Sequence, residues 1–149
     1  MKIDDAIQTK FKSPQQKAVV NIRYTSNYMS NIQNGFMSTF DLTMPQFNIL
    51  RILRGAKEAI NVNTIKERMI EKSPNTTRLM DKLESKRLII RTLCKDDRRV
   101  VFVEISQTGL EILSIIDSRI NETKLFPDNL TDEEAETLSF LLDKVRDGL

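Results

Sequence analysis

Arg98 and Arg99 close the run Lys95-Asp96-Asp97-Arg98-Arg99, and Ser73, Asn75, Thr76, Thr77, Arg78 and Lys82 lie a short way upstream. Their guanidinium, ammonium, hydroxyl and amide groups pair with anionic oxygens and with the edges of heterocycles. Chemistry that breaks bonds asks for other residues. The chain has no histidine, the commonest general base and a common metal ligand. Its single cysteine, Cys94, permits neither an intramolecular disulfide nor an ordinary zinc site. Its four glycines form no phosphate-cradling loop. No catalytic residue, metal or cofactor is expected.

The charge is uneven. The formal net charge is +2, yet residues 72–99 carry nine Lys/Arg against four acids, and residues 128–147 carry seven acids against two bases. A basic patch on a near-neutral chain is the footprint of phosphate binding, although a solvated charged face has the same composition. No apolar run is long enough to span a membrane. The first residues, Met-Lys-Ile-Asp-Asp, place acids where a secretory signal is apolar. Together with the lone thiol, this reads as a cytoplasmic protein.

The elements that position these groups follow from spacing. Residues 1–12 form an arm, with Ile3, Ile7 and Phe11 on one stripe. Ser13-Pro14 opens a long helix to about Thr39. Thr43 and Gln46 form a capping box for a second helix, ended by Gly55. Asn61 caps a third, and Ser73-Pro74 opens a fourth. Two short helices joined by a tight turn make a helix-turn-helix. On the fourth helix Thr76, Leu79, Met80 and Leu83 face the core, while Thr77, Arg78, Asp81 and Ser85 face outward, flanked by Pro74, Asn75 and Lys82. Leu88–Cys94 and Val100–Ile105 read as two strands joined by the charged run. Ser106 caps a fifth helix with Leu110, Leu113, Ile116 and Ile120 on one side, and Pro127-Asp128-Asn129 breaks it. Thr131 and Glu134 cap the last, whose stripe is Leu138, Leu141, Leu142 and Val145. The fold class is mainly α with a small β-hairpin: a winged helix-turn-helix spanning 42–106, with dimerisation helices over 1–40 and 107–149. A polar helix beside a basic hairpin tip is suited to adjacent grooves of duplex DNA.

Three stretches resemble the MarR (multiple antibiotic resistance regulator) family of bacterial transcription factors. They are Leu42–Phe47, the helix Asn75–Glu84, and Asp96–Val103 followed by Ser106 and Gly109. The resemblance covers about residues 42–109. It implies a homodimer with intertwined terminal helices, bound to a pseudo-palindromic operator, usually as a repressor. It also implies release by a small phenolic or other ligand in a cleft between the dimerisation and DNA-binding regions. Asp97 and Arg99 match the Asp and Arg of the family's wing. Arg87 stands where the family commonly has glycine, so a left-handed backbone is expected there.

Several of these groups have a second reading; for Ser73, Asn75, Thr77 and Arg78 it is ordinary helix-surface chemistry, and for Cys94 it is redox sensing. Arg98 and Arg99 are groove-inserting arginines or, alternatively, a solvated turn in which Asp97 pairs with Arg99. Tyr24, Tyr28 and Met44 line an effector cleft for a small aromatic or apolar molecule, or pack the core and dimer. Cys94 reads first as inert packing. The alternative function is a winged-helix protein-interaction module without DNA binding.

Overall fold

The computed structural model describes residues 1–72, 74–120, 123, 125 and 128–148. Its elements are helices α1 (Ile3–Ile7), α2 (Pro14–Ser38) and α3 (Met44–Ala56), strand β1 (Ile60–Asn61), helices α4 (Val62–Arg68) and α5 (Thr76–Ser85), strands β2 (Ile89–Leu93) and β3 (Val101–Ile105), and helices α6 (Gln107–Ile120) and α7 (Asp132–Asp147). They fall into two compact units, Met1–Ile116 and Asp117–Leu149.

The caps form as the spacing dictates. Ser13 accepts from the Gln16 N–H at 3.1 Å. The Thr43–Gln46 capping box is complete, with Oε1 of Gln46 accepting from the Thr43 N–H at 3.0 Å. That bond lets Gln46 sit buried in the core without an orphaned carbonyl. Asn61 accepts from the Asn63 N–H at 2.8 Å. In the first unit α3 is central: it packs on α2, α4, α5 and β3. Phe47, Ile49, Leu50 and Leu53 meet a core that includes Ile65, Met80, Leu83, Ile89, Val103, Leu113 and Ile116.

Several boundaries differ from the sequence expectation. The hairpin is part of a three-stranded antiparallel sheet in the order β1-β3-β2, with Ile60 opposite Val103 and Ile89 opposite Ile105. A two-residue strand has no period by which to be recognised. Both hairpin strands are shorter than the stretches read from sequence: β2 lacks Leu88 and Cys94, and β3 lacks Val100. Helix α5 begins at Thr76 with Asn75 at its N-cap, so Pro74 belongs to the preceding turn. Proline's fixed φ suits a turn as well as a first helical position. Gly55 lies inside α3, which ends at Lys57 in a left-handed conformation (φ 58°). On α6 the buried stripe is Gly109, Leu113 and Ile116, while Leu110 is exposed. The arm contains the short helix α1, with Ile3 buried. Ser73 and Pro127 lie outside the described residues.

The arm is tied to α2 by charge. Lys17 donates to Oδ2 of Asp4, and this bond holds the Asp4 carboxyl below the usual carboxylate range. A depressed folded-state pKa stabilises the docked arm at pH above the unfolded value of about 4, and that stability is lost as pH falls through the folded value. Melting curves taken between neutral pH and pH 3 are expected to show a destabilisation below about pH 4 that is reduced in Asp4→Asn. Identical pH dependence in the two proteins would show that the pair contributes nothing.

In the second unit, α7 opens on a complete Thr131–Glu134 capping box, with Asp132, Glu133 and Glu134 in its first turn against the positive end of the helix dipole. None of its residues is buried, and Leu138, Phe140, Leu141 and Val145 are exposed.

Candidate nucleic-acid interface

Helix α5 presents two faces. Met80 and Leu83 are buried, while Thr77, Arg78, Asp81, Lys82 and Ser85 are exposed, with Pro74 and Asn75 exposed just before them. Thr76 faces the core, as the helical period placed it, and departs from its grouping with the DNA-binding residues. It is 1% exposed, and its hydroxyl lies 3.7 Å from Sδ of Met69. Thr76 occupies the core-facing stripe, so it braces the helix from inside and does not reach a ligand on the outer face.

The acids of α5 are drawn toward the sheet. Arg91, on β2, places Nη1 2.7 Å from Asp81 and Nε 3.0 Å from Glu84, with Nη2 also bonded to Glu84. These bonds, that to Glu84 foremost, raise the Arg91 pKa, so the guanidinium stays charged throughout. The pairing fixes α5 to the wing strand and offsets two carboxylates that border the outer face. Among the described residues, Arg78, Lys82, Arg98 and Arg99 enter no side-chain ion pair. No property of Arg91's position in the sequence distinguished it from a surface arginine. Only the strand-to-helix packing reveals its role.

The hairpin tip is held by its backbone. Cys94 N–H donates to the Val100 carbonyl (2.9 Å), and Val100 N–H to the Asp97 carbonyl (3.0 Å). Asp97 Oδ1 accepts from the main-chain N–H of Arg99 at 2.9 Å. The carboxylate therefore bonds the backbone, in place of an ion pair with the Arg99 guanidinium. Both arginine side chains are exposed. Cys94 is half-buried at the base of the loop.

At the other end of α5, Arg87 is left-handed (φ 59°), as expected. Arg87 N–H donates to Glu84 O (2.8 Å) and Leu88 N–H to Leu83 O (3.0 Å). This is the paired-bond closure of a Schellman motif, with Leu83 and Leu88 buried together.

The residues expected at an effector cleft are dispersed between surface and partial burial. Tyr24 and Tyr28 are exposed on α2, and Met44 is half-buried at the start of α3. A cavity of about 220 Å³ lies on the hairpin, lined by Arg91, Thr92, Leu93 and Val101. Among the described residues, no group of three or more Cys, Asp or Glu could hold a metal ion.

Residues 42–101 match the MarR family. The regulator SarZ of Staphylococcus epidermidis is 27% identical over 103 residues, covering 69% of this chain and 68% of that protein. A mutant MarR from E. coli, solved in complex with operator DNA, is 28% identical with a TM-score of 0.72, over 83% of this chain and 89% of that one. The S. aureus MepR–DNA complex shares the fold, with a TM-score of 0.76 at 23% identity over 88% of this chain and 97% of that one.

Proposed function

We propose that this chain, whose residues 42–101 match the MarR family and which is similar to transcriptional regulators such as SarZ, binds double-stranded DNA sequence-specifically. In this reading it acts as a homodimeric repressor at a pseudo-palindromic operator. The observation that carries the reading is the pairing of an α5 outer face of short polar and cationic groups with a hairpin tip bearing two arginines, Arg78, Lys82, Arg98 and Arg99 entering no ion pair among the described residues. Asn75, Thr77 and Arg78 approach the major groove, with Lys82 on phosphate, and Arg98 and Arg99 enter the adjacent minor groove. Ser73, which precedes α5 in the sequence, is assigned to a phosphate.

Dimerisation through 1–40 and 107–149 is supported by the apolar residues left uncovered on α2 and α7. Two α5 helices related by a two-fold axis then sit about one DNA turn apart, roughly 34 Å. A small aromatic or apolar effector at Tyr24, Tyr28 and Met44 releases DNA by binding unequally to two dimer geometries. No described helix is long and apolar enough to cross a membrane, and the assigned compartment is the cytoplasm.

Anisotropy titrations of the duplex upstream of its own gene, against a scrambled duplex, test the reading. Preference for the natural duplex is expected; equal or absent binding would favour a protein-interaction module. In the same titrations over a salt series, Arg98→Ala with Arg99→Ala is expected to flatten the log–log salt dependence by up to about two. A wild-type slope would remove the wing from the interface.

A further inference from the structure

Helices α2 and α5 end in the same way and end together. Beyond α2, Asp41 is left-handed (φ 54°), with Asp41 N–H bonded to Ser38 O (3.0 Å) and Leu42 N–H to Met37 O (3.2 Å). Met37 and Leu42 are buried, as Leu83 and Leu88 are at the end of α5. Lys86, the residue before the left-handed Arg87, joins these two ends. Its ammonium lies 2.9 Å from the Asp41 carboxylate and also donates to the Asp41 main-chain carbonyl.

Two helix C-termini carry partial negative charge and repel when brought together. One ammonium between them offsets that repulsion. An exposed lysine–carboxylate pair alone is worth little, and the Asp41 side chain is 94% exposed. Here, however, the cation has two oxygens of one residue, whose backbone is fixed by the closure of α2. The Lys86 side chain itself is only 30% exposed.

We propose that Lys86 is a positioning residue for DNA binding: by gripping Asp41 it anchors the far end of α5 to the end of α2, and it does not itself contact phosphate. This rests on the DNA-binding reading above. The two roles predict opposite signs. Removing the Asp41 charge near a polyanion tightens binding by electrostatics alone, whereas losing an anchor loosens it.

The test compares Lys86→Met, Asp41→Asn, the double variant and Lys86→Arg, by duplex titration at several salt concentrations. Asparagine tolerates the left-handed backbone, so Asp41→Asn keeps the closure of α2. Each of Lys86→Met and Asp41→Asn is expected to weaken binding about threefold to tenfold, with the double variant no weaker than either. The salt slope stays at the wild-type value, and Lys86→Arg restores affinity. A slope lowered by about one in Lys86→Met, with Asp41→Asn neutral or tighter, would make Lys86 a phosphate contact and overturn the proposal. Wild-type affinity in every variant would overturn it too. Hydrogen exchange of the Arg87 and Leu88 amides without DNA gives an independent reading: faster exchange in Lys86→Met is expected, and unchanged exchange counts against the anchor. If the wild-type chain binds no duplex, the functional reading fails while the exchange result still decides the anchor.

Discussion

Arg78→Ala is expected to weaken binding to the cognate duplex by about 1–3 kcal/mol, roughly five- to 150-fold, and to relax sequence choice at one position of each half-site. Arg78 is exposed on the outer face of α5 and has no ion-pair partner among the described residues. The two carboxylates bordering that face are engaged by Arg91, so the guanidinium meets an anionic surface without competition from within the protein. Arginine's planar fork matches the O6 and N7 acceptors of guanine, which a phosphate contact does not require. Dissociation constants for the matched duplex and for single-base variants separate the cases. Loss of affinity with unchanged discrimination would assign Arg78 to the phosphate backbone. No loss at all would place it outside the interface.

Gly109→Ala is expected to destabilise the fold by about 2–3 kcal/mol. In an ordinary helix interior alanine is better than glycine by about 1 kcal/mol, so the predicted sign is opposite to propensity. The reason is contact. A Cβ on Gly109 would lie 2.3 Å from the Leu88 carbonyl oxygen and 2.7 Å from Cγ1 of Ile105. Flexible side chains yield to such contacts, but this oxygen belongs to the backbone and is already bonded to the Ser106 N–H at 3.0 Å. Ser106 in turn caps α6, its Oγ accepting from Gly109 N–H at 3.0 Å and donating to the Arg87 carbonyl at 2.7 Å. Relief of the clash must move α6 away from the junction of α5 and β2, and with it the base of the hairpin. Chemical denaturation measures the loss; a variant within about 0.5 kcal/mol of wild type would show that the junction yields. DNA affinity is expected to fall as well, because the hairpin and α5 meet at this point.

Much of this architecture was legible in the order of residues because it is local. The Ser13, Thr43, Asn61, Ser106 and Thr131 caps are written in three- or four-residue signatures, and each forms. The left-handed turn at Arg87 was expected from the resemblance, in which glycine commonly stands there, and it forms. What escaped was non-local or degenerate. Strand β1 exists only because β3 offers it an edge. The Lys86–Asp41 contact joins residues 45 positions apart, and neither residue is unusual where it stands. Thr76 carried two readings: its hydroxyl grouped it with Thr77 and Arg78, while the helical step of about 100° turned it to the core, and the core reading holds. Ser73-Pro74 read as a helix start, yet Pro74 lies before α5, because proline's fixed φ suits a turn as well as a first helical position.

The backbone of the hairpin tip is bonded to itself, through Asp97 and Val100. The entropy of shaping that loop is therefore spent during folding and not at each encounter. In the proposed complex only the arginine side chains remain to be immobilised, at about 0.5–1.5 kcal/mol each. A wing prepared in this way favours fast capture from solution, and tuning between operators falls mainly on the lifetime of the bound state.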